Sequence, residues 1–152
     1  MASANQIFGS PKLFQSNNKM NIRQAKTSEA VELTNIALAA KGFWGYPQRW
    51  LDLWKDDLTF TAEIIEKNIV ILLESEDKIL GFYKLVLEDK VADLEHLWIK
   101  PSSIGKGVGK ILFIHAKEKA ISLNANTLTI KSDPNAEAVS YTHLTLPTTP
   151  YV

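Results

Sequence analysis

The stretch L-W-I-K-P-S-S-I-G-K-G-V-G-K-I-L-F, from Leu97 to Phe113, constrains the chain more than any other. An apolar run ends at Pro101, which has no N–H to give a strand ladder. Gly105, Gly107 and Gly109 follow, and then apolar residues recur at helical spacing. A strand, a tight turn and a helix are therefore expected in that order. The first N–H groups of a helix have no partner within it. The helix dipole adds partial positive charge there. Glycines remove the Cβ atoms that would hold a phosphate away from the backbone. Lys106 and Lys110 add two cations. This is the chemistry of an anion site, with a pyrophosphate as the natural ligand. Two nucleotide motifs fail on inspection. The G-x-G-x-x-G fingerprint counted from Gly105 ends on Lys110, and G-x-x-x-x-G-K-[ST] meets Ile104 first and Ile111 last. A bare strand-to-helix turn remains the competing reading of the glycines alone.

The rest of the chain sets limits on the class. Its 152 residues suit one domain. Lys and Arg total 17 against 17 Asp and Glu, so no basic field draws nucleic acid. There is no cysteine, which removes disulfides, thiolate metal sites and a cysteine nucleophile. No run of about 18 apolar residues offers a membrane span, and Met1–Lys19 does not read as a secretory signal. A cytoplasmic protein with neither a nucleic-acid nor a membrane partner is expected, and a homodimer is left open.

Residues 1–19 read as a flexible N-terminal extension. Asn21–Lys26 is a first strand, and Thr27 or Ser28 is placed to cap a helix that stops at Gly42. Pro47 opens a second helix with Trp50, Leu51 and Trp54. Thr61 caps a short third one through Glu66. Asn68–Leu73 and Ile79–Leu87 form an antiparallel hairpin, and Val91–Lys100 is a further strand. A helix over Val108–Leu123 and a strand over Asn126–Ile130 complete the pattern. The end, V-S-Y-T-H-L-T-L-P-T-T-P-Y-V from Val139, continues none of it. It reads as a non-native tail, set outside the fold, with a plain strand or coil as the other reading.

Asp93–Phe113 resembles the signature region of the GNAT superfamily of N-acetyltransferases. Members carry L-x-V-x-P followed by [RQ]-x-x-G-x-[GA]. This chain supplies Leu97-x-Ile99-x-Pro101, then Ile104-x-x-Gly107-x-Gly109, with Ile104 where Arg or Gln is usual. The order of elements from Met20 to Ala138 is similar to the family's as well. Ser132–Ala138 looks like the start of its next helix, whose continuation is missing. The resemblance implies a mixed α/β domain, with a twisted, mostly antiparallel sheet flanked by helices and its last strands missing. Residues 20–138 would then be a truncated N-acetyltransferase domain. The activity implied is transfer from acetyl-CoA to a primary amine of a small molecule or peptide by direct attack, with turnover of the truncated form left open. The alternatives are a non-catalytic acyl-CoA-binding module and a protein-interaction module.

An acceptor amine must lose a proton before it attacks, so a base is needed near neutrality. Asp93, Glu95, Leu97 and Ile99 alternate along one strand and are expected on one face. The family places base candidates at the positions of Glu95 and Asp93, Glu95 being preferred. A solvated or salt-bridged carboxylate is the bland reading of either. The resemblance assigns coenzyme contacts to Leu97, Trp98 and Ile99, to Ile104–Lys110 (Ile104, Gly105, Lys106, Gly107, Val108, Gly109 and Lys110), and to Asn135. The nearest Tyr to the family's proton-donor position is Tyr141, one place late and in the tail, and it is given no role. His96 is expected on the opposite face beside Trp98 as a packed residue, and His115 as a packed residue of the helix stripe. With His143 in the tail, no metal site is expected. Phe43-Trp44-Gly45-Tyr46-Pro47, with Trp50 and Trp54, has two readings. Trp44 and Tyr46 would contact the acceptor, or the aromatics would pack as core, which is preferred.

Overall fold

Runs of Ile, Val and Leu short enough for strands supply most of the sheet. The structure, a computed structural model, describes residues 20–130 and 143–145. Six strands stand in chain order within one sheet: β1 (Met20–Gln24), β2 (Ile69–Ser75), β3 (Lys78–Glu88), β4 (Val91–Ile99), β5 (Thr127–Ile130) and β6 (His143–Thr145). All neighbours are antiparallel except β4 and β5, which run parallel. A parallel pair needs a crossover, and helix α4 (Val108–Ser122) provides it. Helices α1 (Ala30–Gly42), α2 (Gln48–Leu58) and α3 (Ala62–Lys67) lie between β1 and β2 in the chain. The mixed α/β class with a mostly antiparallel sheet and flanking helices is as expected.

The sheet is buried on both faces. Ile71, Leu73, Tyr83, Leu85, Ala92, Leu94 and Leu128 pack with Val108, Ile111, Leu112, Ala116 and Ala120 of α4. Val70, Leu72, Ile79 and Phe82 pack with Leu33, Ile36 and Ala37 of α1, Leu58, Phe60 and Ile65 on the other face. This is why β2 reads as a continuous apolar run: neighbouring residues enter different cores. Each fully buried Leu or Val contributes about 1.5–3 kcal/mol relative to exposure.

Local chemistry sets the helix ends. Thr61 accepts a hydrogen bond from the Ile64 N–H at 3.1 Å and caps α3, and Pro47 precedes α2, both as expected. The expected cap at Thr27 or Ser28 does not form. Thr27–Glu29 is a 3-10 turn, and the Glu29 carboxylate instead takes the Lys26 N–H at 2.8 Å. Arg23 fixes that carboxylate, donating to Glu29 at 2.7 Å and to Glu74 at 3.0 Å. The guanidinium holds both Glu29 and Glu74 below the usual carboxylate range.

Residues 143–145, set outside the fold on sequence, pair with β5 through Thr127↔Thr145, Leu128↔Leu144 and Thr129↔His143. The alternation H-L-T has the strand period, and β5 offers it an edge.

Two predictions follow from these contacts. A Cβ on Gly81 would stand 2.8 Å from the Trp98 carbonyl oxygen and 3.1 Å from a Leu112 methyl. Gly81→Ala should cost about 1–3 kcal/mol through overpacking, read from urea denaturation. The lowered Glu29 and Glu74 values stabilise the fold above the unfolded carboxylate pKa of about 4.3, and that stability is lost as pH falls through the folded values. Arg23→Met should therefore lower stability near neutrality by about 1–3 kcal/mol and flatten its decline in acid. Thermal melts across the acid range check both effects.

Candidate active site

β4 carries one residue more than its partner needs. Lys84 pairs with His96 and Leu85 with Leu94, so Glu95 bulges out of the ladder. Strict alternation is broken there. Ala92 and Leu94 face α4 before the bulge, and Leu97 and Ile99 face it after. Asp93 and Glu95 look into a cleft on the opposite side, with Val86, Glu88, Asp89, Val91 and Thr129. The expected single face for Asp93, Glu95, Leu97 and Ile99 is corrected accordingly: the two carboxylates share a face, and Leu97 and Ile99 point the other way. His96 likewise does not oppose the carboxylates. It packs edge-on to Phe60 at 5.1 Å and accepts the Trp98 indole N–H at 2.9 Å, so both His96 and Trp98 lie on the α1 side.

The cleft encloses about 330 Å³. Asp93 accepts the Thr129 hydroxyl at 2.8 Å. Glu95 meets the Lys84 ammonium at 3.1 Å, with side chains 26% and 16% exposed. Sequence reasoning missed Lys84, Val86 and Thr129. The signal for Lys84 was available, since it is the lone cation inside the apolar run G-F-Y-K-L-V-L.

β4 and β5 pair from Val91↔Thr127 to Leu94↔Ile130, the last residue described before 143. His96–Ile99 pairs with β3. The chain then passes through the 3-10 turn Pro101–Ser103 to the glycines. Gly105 (φ 84°) and Gly107 (φ 83°) occupy the left-handed region, where a Cβ is disfavoured. A Cβ built on either meets nothing within 4 Å, while one on Gly109 would touch Ile99 at 3.6 Å. Gly107 opens α4, whose first backbone bond runs from the Ile111 N–H to the Gly107 carbonyl at 3.1 Å. Residues 104–107 form hydrogen-bonded turns that lead into α4. Ile104, Lys106 and Lys110 are exposed, whereas Val108 is buried in the core, so only its backbone faces the turn.

The acetyltransferase (GNAT) family model matches residues 31–143. The chain belongs to the GNAT acetyltransferase family. Solved structures share the fold at low identity. The PaiA N-acetyltransferase of Thermoplasma acidophilum, in complex with coenzyme A, aligns with a TM-score of 0.69 at 17% identity, over 80% of this chain and 85% of that one. A GCN5-related N-acetyltransferase of Rhodopseudomonas palustris gives 0.67 at 18% identity, over 82% and 79%. A GNAT acetyltransferase of Brucella melitensis, in complex with acetyl-CoA, gives 0.63 at 16% identity, over 84% and 88%. A sequence search of curated proteins found no match. The sequence reading of an acetyl-CoA-dependent N-acetyltransferase stands.

The turn of this acetyltransferase fits a coenzyme pyrophosphate. Its glycines leave open space where side chains would project, at the start of a helix whose first N–H groups have no partner within it. Asn135 and Tyr141 fall outside the described residues. Among those described, no three His, Cys, Asp or Glu side chains gather as a metal site requires, and no helix is long and apolar enough to cross a membrane.

The aromatic segment between α1 and α2 is not the core element preferred on sequence. Phe43, Trp44 and Trp50 are 52%, 42% and 41% exposed. Phe43 and Trp44 stand in the loop beyond α1, and Trp50 lies on an exposed face of α2, while Trp54 packs against the second core. Tyr46 stacks edge-on to Trp54 at 4.9 Å, and the Lys41 ammonium lies 4.3 Å from the Trp54 ring and 5.0 Å from that of Tyr46. Neither Trp44 nor Tyr46 lines the Asp93–Glu95 cleft. His115 is packed, as expected. Its Nδ1 lies 2.8 Å from the Tyr83 hydroxyl. Burial, and then the charge of Lys119, lower its pKa, while burial raises that of Tyr83.

The loop geometry generates a graded test. Gly107→Asn tolerates the left-handed conformation and should retain coenzyme affinity within about tenfold, a loss of about 1.4 kcal/mol. Gly107→Glu places a like charge at the phosphates and should abolish binding. Calorimetric titration with coenzyme A on folded variants reads the difference.

Proposed function

We propose that this acetyltransferase moves the acetyl group of acetyl-CoA onto a primary amine by direct attack, with Glu95 taking the amine's proton. One observation carries the reading. The bulge takes Glu95 out of the β4 ladder, and its carboxylate lines an open cleft beside Asp93. From there β4 runs on to the glycine turn.

Each group of the chain then has a task. The amides of Gly105–Lys110 hold the pyrophosphate, aided by the exposed Lys106 and Lys110. The backbone of Leu97–Ile99 meets the pantetheine amides as a neighbouring strand would. The thioester supplies an activated acyl carbon. A backbone N–H of β4 stabilises the oxyanion. Glu95 accepts the proton of the incoming ammonium, directly or through water. Asp93, steadied by Thr129, draws the cationic acceptor into the cleft. Trp44 and Tyr46 belong to the acceptor side in this proposal, supported by the exposure of Trp44 and by the packing of α1 over β4. Asn135 is assigned to the coenzyme on its motif position alone. The acceptor is a small-molecule or peptide amine, and a cytoplasmic location goes with the coenzyme donor.

Glu95→Gln tests the base. Turnover near neutrality should fall about 100-fold. The deficit should shrink as pH approaches the free amine pKa of about 10.4, where the acceptor loses its proton unaided. The measurement is thiol release across pH with a panel of primary amines. Parallel profiles for the two proteins would reject Glu95 as base.

A further inference from the structure

We infer that Lys84 is a self-acetylation site: without an amine acceptor, its own side chain takes the acetyl group. The inference rests on the proposed role of Glu95. An acceptor amine has to reach that carboxylate to surrender its proton, and an amine of the chain is already there. The Lys84 Nζ lies 3.1 Å from Glu95 Oε1.

Position sets Lys84 apart from an ordinary surface lysine. Lys67 makes a contact of the same 3.1 Å length to Glu63, but along α3 with side chains 68% and 71% exposed. Lys84 is 16% exposed and opposes His96 at the bulge of β4. Neighbouring strands are about 4.8 Å apart, and the Lys84 side chain already spans that distance to Glu95. Glu95 in turn bulges out of the β4 ladder and lines the cleft in which the proposed reaction takes place. The lysine reaches it from the β3 side of β4.

The chemistry balances with the family's own donor. Glu95 takes one proton from the Lys84 ammonium. The nitrogen lone pair forms a C–N bond to the acyl carbon, the C–S bond breaks, and the second proton lost by the nitrogen passes to the departing thiolate, giving free coenzyme A. Lys84 becomes a neutral amide and its ion pair with Glu95 ends. An acceptor ammonium bound at Glu95 displaces Lys84 and protects it, so acceptor and self-modification compete.

The test incubates the full chain with acetyl-CoA and no amine, then maps acetylated peptides by mass spectrometry. Lys84 should gain one acetyl group at a rate that saturates with acetyl-CoA and is blocked by desulfo-coenzyme A. Lys67 reports uncatalysed acetylation in the same sample. Glu95→Gln should slow the Lys84 reaction about 100-fold and leave Lys67 unchanged. Lys84→Arg preserves the ion pair, and should bind coenzyme A and carry no adduct at residue 84. Calorimetry on the same preparation separates the two levels of failure. Coenzyme binding with Lys84 modified no faster than Lys67 overturns this inference and leaves the acetyltransferase reading intact. A folded chain that binds no coenzyme overturns the reading of the glycine turn, and this inference with it.

Discussion

One surplus residue in β4 governs the site. Without it, period-two alternation would carry the strand unbroken past α4. Either the carboxylates would lie beneath the helix, or Leu97 and Ile99 would be turned away from it. The bulge at Glu95 resets the faces. Asp93 and Glu95 look into the cleft, while Leu97 and Ile99 anchor the strand against the core under α4. A bulge costs ladder hydrogen bonds and strengthens local twist.

The glycine turn and the sheet are mechanically continuous. Ile99, the last residue of β4, touches Gly109 of α4 and presses close to Gly81 of β3. Small residues at those two positions let helix, strand and turn approach closely. The glycine turn and α4 are thereby set directly against the end of β4. That arrangement suits a reaction whose main requirements are alignment and a dry, oriented set of donors.

Much of this was legible in the residues, because the signals were local. Pro101 and the three glycines announce a strand stop and a turn that admits a phosphate. Thr61 announces a cap, and the apolar runs of β2 and β3 announce a hairpin. Other expectations failed once neighbouring elements were in place. Thr27 and Ser28 lost the cap to Glu29, whose carboxylate is fixed by Arg23 of β1, itself paired with Glu74 of β2. Phe43, Trp44 and Trp50 stay exposed, while α1, Leu58, Phe60 and Ile65 fill the core on that face. His96 turned to the carboxylates' side of the sheet because the bulge reversed it.

The sequence by itself determined the chemistry on offer: an anion-binding turn, carboxylates at positions 93 and 95, no thiol, and a family signature across the strand and the loop. Tertiary structure alone decided which of these groups meet. A bulge is a mismatch between two strands, so a single strand cannot reveal it. The Lys84–Glu95 pair and the Asp93–Thr129 bond both join residues from different strands. Their geometry follows from register, and register is settled only when both faces of the sheet are packed.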